Sequence, residues 1–336
     1  MNLVTGGTGL LGSHVLIALV RNGQRCRASF RNEAKVQEVQ RLFNYYFGAS
    51  STEMWSLIDW VKADLTDITD IDHLVSGAKN VYHCAALVSF FKADFERCLQ
   101  QNRYVTASLI DFSLKHGIQH FCHVSSTAAI GGAGRLVNEE TKWQVGGKNS
   151  GYGISKLLAE REVWRGIEEG LKAVIVNPCV ILGPAAQGSP SLQMLDTAKQ
   201  GLSFYTSGRN AVVDARDVAQ VMVKLVEKGV RNERFLVVGP QQSFRDLFTQ
   251  FAKHLGKKSP SIAAPKKLTY LFAIIHELWC HVSGKRTGLS IETARSSYQN
   301  IQYDINKIKT ELSFEYTPLD QIISNMIEGQ AFITKE

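Results

Sequence analysis

From the first residue to about residue 177, short apolar runs alternate with longer stretches whose apolar residues recur every three or four positions. The runs at 3–5, 26–30, 60–63, 80–84, 120–125, 173–176 and 235–238 predict strands. The spacing of Val105, Leu109, Ile110, Phe112 and Leu114 is typical of the helices expected between them. Strands alternating with helices are the pattern of β-α-β units, and so of an α/β fold on a parallel sheet. After Gly183-Pro184 the regularity is lost: 185–190 is a small-residue loop, 192–201 reads as a helix, and 241–336 is mainly helical. No Pro/Gly/Ser linker or repeat separates the parts, so two lobes that share chain crossings are expected to pack together.

The strand at 3–5 runs into Thr5-Gly6-Gly7-Thr8-Gly9-Leu10-Leu11-Gly12, and an apolar helical pattern follows through His14, Val15, Leu16, Ala18 and Leu19. Gly6, Gly9 and Gly12 therefore stand between a strand and a helix. Glycines permit the tight turn and a close approach of the backbone to a pyrophosphate, whose charge the helix N-terminus attracts. The spacing is Gly-x-x-Gly-x-x-Gly, wider than the Gly-x-Gly-x-x-Gly of many dehydrogenases. At the tip of the second strand stands Arg31, where an acid would grip a ribose 2′-hydroxyl and an arginine accommodates a 2′-phosphate. A planar donor fork suits phosphate, so NADP is favoured, and Glu33 keeps NAD open. Asp64 and Leu65 follow the third strand, where a carboxylate and an apolar wall suit an adenine; Asp64 could instead cap the next helix, a task equally suited to Asp67 or Thr69. Small residues after the fourth strand, Ala85 and Ala86, let a flat cofactor lie on the backbone.

Ser125-Ser126 ends the fifth strand, and Tyr152-x-x-x-Lys156 begins a helix, which puts Tyr152 and Lys156 on one face. A lysine ammonium, joined by the positive charge of an oxidised nicotinamide, would lower the tyrosine's pKa towards working pH and so fit it to exchange a proton with a substrate oxygen. Ser126 would hold that oxygen, with no metal required.

These residues together resemble the extended short-chain dehydrogenase/reductase family over nearly the whole chain. The marks are Thr5-Gly6-x-x-Gly9-x-x-Gly12, Asp64-Leu65, Cys84-Ala85-Ala86, Asn102, Ser125-Ser126, Tyr152-x-x-x-Lys156, Asn177-Pro178-x-Val180-x-Gly183-Pro184 and Asp214-x-Arg216-Asp217-Val218-Ala219. Asn177-Pro178, Arg31 and the closing Tyr303-Asp304-x-x-Lys307 with Glu311-Leu312-Ser313-Phe314 are most similar to the dihydroflavonol-reductase-like and 3β-hydroxysteroid-dehydrogenase-like branch. The resemblance implies a Rossmann doubly wound parallel sheet with a smaller, mainly helical C-terminal substrate lobe. The cofactor domain would be 1–180 with a returning segment at about 211–240, and the substrate lobe 181–210 and 241–336. It implies that Ser126, Tyr152 and Lys156 are catalytic and that Asn102 supports the lysine, sometimes through water. Gly6, Thr8, Gly9, Leu10, Gly12, Arg31, Asp64, Leu65, Ala85, Ala86, Tyr152, Lys156, Pro178 and Val180 would line the cofactor. Val105 and Ser313 replace glycines common in the family, away from the chemistry.

Val88, Phe90, Ile130 and Gln187, together with Ser89, Trp143, Met194 and Phe204, are the expected substrate neighbours, mostly apolar. The expected function is an NADP(H)-dependent oxidoreductase moving a hydride between nicotinamide and a carbonyl or secondary alcohol of a moderately apolar small molecule. The alternatives are an NAD-dependent nucleotide-sugar epimerase or dehydratase and a noncatalytic dinucleotide sensor.

Bulk properties narrow this further. The 336 residues are 44% hydrophobic and carry a formal charge of +7, but Lys266-Lys267 and Lys285-Arg286 are only pairs, so no nucleic-acid partner is expected. Six scattered cysteines without a Cys-x-x-Cys pair suggest free thiols, a reducing cytoplasm and no metal. A glycine loop at the fifth residue is expected to leave no room for a signal peptide, which also points to a cytoplasmic protein. The apolar stretch 268–279 contains His276 and Glu277 and is too short to span a bilayer, so no stable membrane insertion is expected. Packing on the sheet is its expected role; an interfacial helix, a lipid-like pocket or a homodimer contact are the alternatives.

Overall fold

Seven strands, β1 (Asn2–Thr5), β2 (Cys26–Phe30), β3 (Ile58–Lys62), β4 (Asn80–His83), β5 (His120–Val124), β6 (Ala173–Pro178) and β7 (Glu233–Val237), form one sheet in the order 7-6-5-4-1-2-3. Every pairing in it is parallel. This computed structural model describes residues 1–131, 136–144, 149–189, 191–283 and 288–335; Pro190 and the Lys285-Arg286 pair lie outside them. The α/β class and the doubly wound parallel sheet are as expected. β3 starts two residues earlier than the apolar run because it is an edge strand: exposed Asp59 interrupts the pattern while pairing with Arg27 of β2 at 3.5 Å.

After β3 the chain returns to the far side of β1 to lay down β4. The connections leaving β1 and β4 therefore diverge and open a crevice at their C-terminal ends. Helix α1 (Leu10–Arg21) starts at that crevice and is held between the sheet and α6 (Ala215–Glu227), with Leu16, Leu19 and Val20 fully buried. Side-chain caps fix where other helices begin. Asn32 accepts from the Ala34 amide to start α2 (Glu33–Phe47), and Asp67 accepts from Thr69 to start α3 (Ile68–Val75). Beyond β6, the strands Val180–Leu182, Arg209–Asp214 and Gln241–Ser243 make a small sheet. Its apolar cluster, which includes Leu195, Val212, Phe251, Ile322 and Met326, is separate from the two clusters that cover the main sheet.

One expectation fails. The stretch 268–279 lies in a helix, Lys266–Ser283, but does not pack on the sheet through its apolar residues: Leu268, Leu271, Phe272, Ile275, Leu278 and Trp279 are all exposed. The opposite face carries the anchoring bonds, from Thr269 Oγ1 to the Tyr298 hydroxyl (2.7 Å), His276 Nδ1 to the Leu289 carbonyl (2.9 Å), and the Ile291 amide to Glu277 Oε1 (3.0 Å).

Leu16 is the side chain on which the α1 packing can be tested, because its truncation leaves a cavity between helix and sheet. Leu16→Ala is expected to lower the unfolding free energy by about 2–5 kcal/mol in urea denaturation. A loss well below that range would mean that α1 is not a core helix.

Candidate active site

The crevice is part of a cavity of about 1690 Å³, larger than a single small-molecule site requires. Gly6, Thr8, Gly9, Leu10 and Gly12 line it. At Gly6, with φ +69°, an added Cβ would stand 2.8 Å from the Ala85 backbone, and at Gly12 one would stand 2.1 Å from the Gly6 carbonyl oxygen. Gly9 caps α1 without a side chain, and no acidic residue occupies the first turn. The N-terminal amides of α1 and the positive end of its dipole are thus left for an anion, and the cradle fits the pyrophosphate of a dinucleotide. Ser29 fastens the loop from β2, its Oγ accepting from the Gly6 amide at 3.2 Å and its carbonyl from the Gly7 amide at 3.2 Å.

Arg31 lines the same cavity at the end of β2, joined by Asn32 and, one turn into α2, by Lys35. Two cations at this point suit a phosphate on the ribose. Leu65 and Ala63 also line the wall; Asp64, between them, does not. The Asp64 Oδ1 instead accepts from the amide and hydroxyl of Thr66, each at 2.9 Å, and these bonds hold its carboxyl below the usual range. Ala85, Ala86, Pro178 and Val180 are on the wall as expected.

The chemistry-bearing side chains converge where β5 meets α5 (Gly151–Glu168). Ser150 caps α5 by accepting from the Gly153 amide at 2.9 Å, which brings Tyr152 and Lys156 into the first turns facing the cavity. Ser126 lines the same wall as the Tyr152 phenol, and its Oγ accepts from the Ala128 amide at 3.1 Å. Phe90 meets the Tyr152 ring edge-on at 5.5 Å. Lys156, 1% exposed, donates from Nζ to the Val124 carbonyl at 2.6 Å. Burial lowers its pKa to about 8 against the opposing pull of Glu160.

The lysine's share of the expected depression of the Tyr152 pKa is not found. Burial pushes the phenol up to about 12, with Ser126 acting the other way and no part played by Lys156. The ammonium is turned to the strand carbonyl instead. Asn102 is likewise not bonded to Lys156. Its Oδ1 accepts from the Leu87 amide at 2.8 Å, and its Nδ2 donates to the Leu87 carbonyl at 3.0 Å and to Ser155 Oγ at 2.9 Å.

Of the expected substrate neighbours, Val88, Ser89, Phe90, Met194 and Phe204 line the cavity. Ile130 does not: it is 1% exposed and belongs to the core. Gln187 does not either; it is exposed, and its amide donates to Glu38 Oε2 of α2 at 2.5 Å. Trp143 packs against Gly131 rather than lining the wall.

Residues 2–239 match the model of the NAD dependent epimerase/dehydratase family. The chain belongs to that family. As a member it is an NAD(P)-dependent enzyme of the extended short-chain dehydrogenase/reductase type, with a nicotinamide dinucleotide as cofactor. Curated relatives include the sterol demethylase protein B of Methylococcus capsulatus, 29% identical over 280 residues (82% of this chain, 80% of that protein). A dihydroflavonol 4-reductase of Dianthus caryophyllus is 25% identical over 279 residues (79% and 75%). Among solved structures, the UDP-glucuronic acid 4-epimerase of Bacillus cereus in complex with NAD superposes with a TM-score of 0.74 at 20% identity, covering 99% of this chain and 98% of that one, and so shares the fold.

For a family member, the wall residues that sequence reasoning missed are informative. Lys35 stands four residues after Arg31, a spacing that on a helix start would have signalled a second cation. Ser29, inside a strand, gave no signal. Nor did Glu292, Arg295 and Gln299, polar wall residues from a part of the chain without a motif.

The lowered Lys156 pKa has a measurable sign. Between pH about 8 and 10.5 the unfolded chain holds a proton that the folded protein has released, so the stability of wild type relative to Lys156→Met is expected to rise with pH across that window. Paired urea titrations at several pH values would show it. A difference independent of pH would mean that the ammonium is not desolvated.

Proposed function

We propose that the protein is an NADP(H)-dependent reductase or dehydrogenase acting on a carbonyl or secondary alcohol of a moderately apolar small molecule. The observation that carries this reading is that Ser126, Tyr152 and Lys156 share the wall of the cavity that also holds the glycine loop. A bound nicotinamide dinucleotide supplies or takes up the hydride. Ser126 and Tyr152 both offer a hydrogen bond to the substrate oxygen, and Tyr152 exchanges the proton. With its pKa pushed up to about 12, the phenol is protonated at neutral pH, ready to donate in the reducing direction. Lys156, held by the Val124 carbonyl, keeps a positive charge in the cavity wall below pH about 8.

Arg31 and Lys35 support NADP over NAD. Segments 1–180 and 211–240 are assigned to the cofactor, and 181–210 with 241–336 to the substrate. Phe90, Phe91, Met194, Phe204, Phe244 and Phe248 give the cavity an apolar portion suited to such a substrate. The dihydroflavonol 4-reductase among the relatives supports reduction. A second reading, an epimerase or dehydratase acting on a sugar nucleotide, is favoured by Arg295, which gives the same cavity a cation for a diphosphate. That enzyme would carry tightly held NAD through purification and need no added cofactor.

Tyr152→Phe is expected to reduce turnover about 100-fold or more while leaving NADPH affinity near that of wild type. Steady-state rates with NADPH over a carbonyl panel, together with fluorescence titration of the cofactor, check this; full turnover in the variant would remove Tyr152 from the chemistry. Arg31→Ala should weaken NADPH about tenfold and NADH little, as expected of one lost contact to a phosphate. An unchanged ratio of the two affinities would count against NADP specificity.

A further inference from the structure

We propose that the helix Lys266–Ser283 docks the protein onto the surface of an anionic lipid bilayer. Leu268, Leu271, Phe272, Ile275, Leu278, Trp279 and Val282 stand at i, i+3, i+4, i+7, i+10, i+11 and i+14 and so form one stripe along the helix. The stripe is bare: Phe272 is 59% exposed, Leu278 64% and Val282 86%. Isolated apolar residues on a surface need no explanation, whereas a contiguous strip over about four helical turns marks an interaction site. The helix cannot simply roll inward. Its other face is spoken for by Ala273 and Cys280, which are buried, and by the bonds of Thr269, His276 and Glu277 to Tyr298, Leu289 and Ile291.

Charge selects the occupant. Lys266 and Lys267 open the helix and are exposed; Lys266 lies over the Tyr298 ring on the inner face, and Lys267 stands on the flank of the stripe. The helix's one acid, Glu277, is half-buried and accepts from the Ile291 amide. A second copy of this helix would bring no exposed acid of its own to meet Lys267, whereas anionic headgroups meet it while the stripe enters the acyl boundary. Trp279, towards the far end, is a residue type that settles at the headgroup level. The contact is interfacial and not a span: no helix among the described residues is long and apolar enough to cross a membrane.

Docking there has a geometric consequence. Thr269, on the inner face, lines the large cavity, as do Leu289, Ser290, Glu292 and Thr293 just beyond the helix. The bilayer would therefore lie about one helix diameter, ~10 Å, from the cavity wall.

Flotation of the full chain with phosphatidylcholine vesicles, with and without phosphatidylglycerol, tests the proposal. The protein should float with the anionic vesicles and largely dissociate in about 0.5 M salt, at which surface charges are screened. Leu271→Ser/Leu278→Ser, at exposed positions, should reduce the bound fraction about fivefold with an unchanged Tm. Failure of wild type to float, or equal flotation of the double variant, would overturn the proposal. So would a wild-type dimer in light scattering that the double variant dissociates, if neither form floats, since the stripe would then be a contact between copies. Should the leucine variant fold poorly, Lys267→Glu decides: undiminished binding to anionic vesicles would refute the role given to charge, and with it the proposal.

Discussion

A β-carbon at Gly12 would stand 2.1 Å from the Gly6 carbonyl oxygen, and one at Gly6 2.8 Å from the backbone of Ala85. Three pieces of main chain, the end of β1, the first turn of α1 and the loop after β4, thus pass one another at distances that leave no room for side chains. The contact joins the two sides of the crevice, because β1 and β4 are neighbours whose connections diverge. It fixes where α1 points and so where its N-terminal amides meet an anion. It also draws Ala85 and Ala86 under the cofactor end of the cavity, while α6 on the far side of α1 keeps the helix from moving away.

The constraint is carried to the reaction centre by buried polar side chains. The His83 ring bridges Thr5 Oγ1 at 2.7 Å and Thr106 Oγ1 at 3.0 Å, and Thr106 in turn donates to the Asn102 carbonyl at 2.5 Å. Asn102 reaches Ser155, whose hydroxyl donates to the Tyr152 carbonyl at 2.8 Å. A run of bonds therefore links the strand before the glycine loop to the helix that bears Tyr152 and Lys156. Burial lowers the His83 pKa to about 3, so the ring is neutral and can donate at one nitrogen and accept at the other. Asn102 lies in a π-helical stretch, Leu99–Tyr104, and the wider turn there is an irregularity often found at functional sites. Asn102 is better described as a clamp on the Leu87 backbone and on α5 than as a direct support for the lysine.

Features set by local rules were legible in the chain. All seven strands of the main sheet, the glycine loop and the shared face of Tyr152 and Lys156 follow from periodicity, turn chemistry and helical spacing. Features set by the direction of a side chain at the end of an irregular segment were not. Ile130 is four residues from Ser126, but the tight turn Thr127–Ala129 delivers it into the core. Gln187 follows the Gly183-Pro184 signature by a few residues, yet its loop leans on α2 through Glu38 and faces outward. The Tyr-Lys spacing places two side chains together without saying which group the longer one bonds, and Lys156 reaches the end of β5 in preference to the phenol. Burial then dominates the tyrosine, a long-range effect that a four-residue spacing does not encode.

The helices Phe244–His254 and Lys266–Ser283 expose a further limit of pattern. Both are amphipathic; the first buries Leu247 and Phe251 in the apolar cluster of the small sheet, while the second turns its apolar stripe outward. Periodicity specifies that a helix has an apolar face, and leaves open what that face meets. In Lys266–Ser283 the orientation is decided by the minority of polar residues, because Thr269, His276 and Glu277 find partners on the protein that water-facing positions would not give them. A helix whose polar face is satisfied by its own fold must leave its apolar face to another phase or another molecule, and here that face lies on the outer side of the wall of the large cavity.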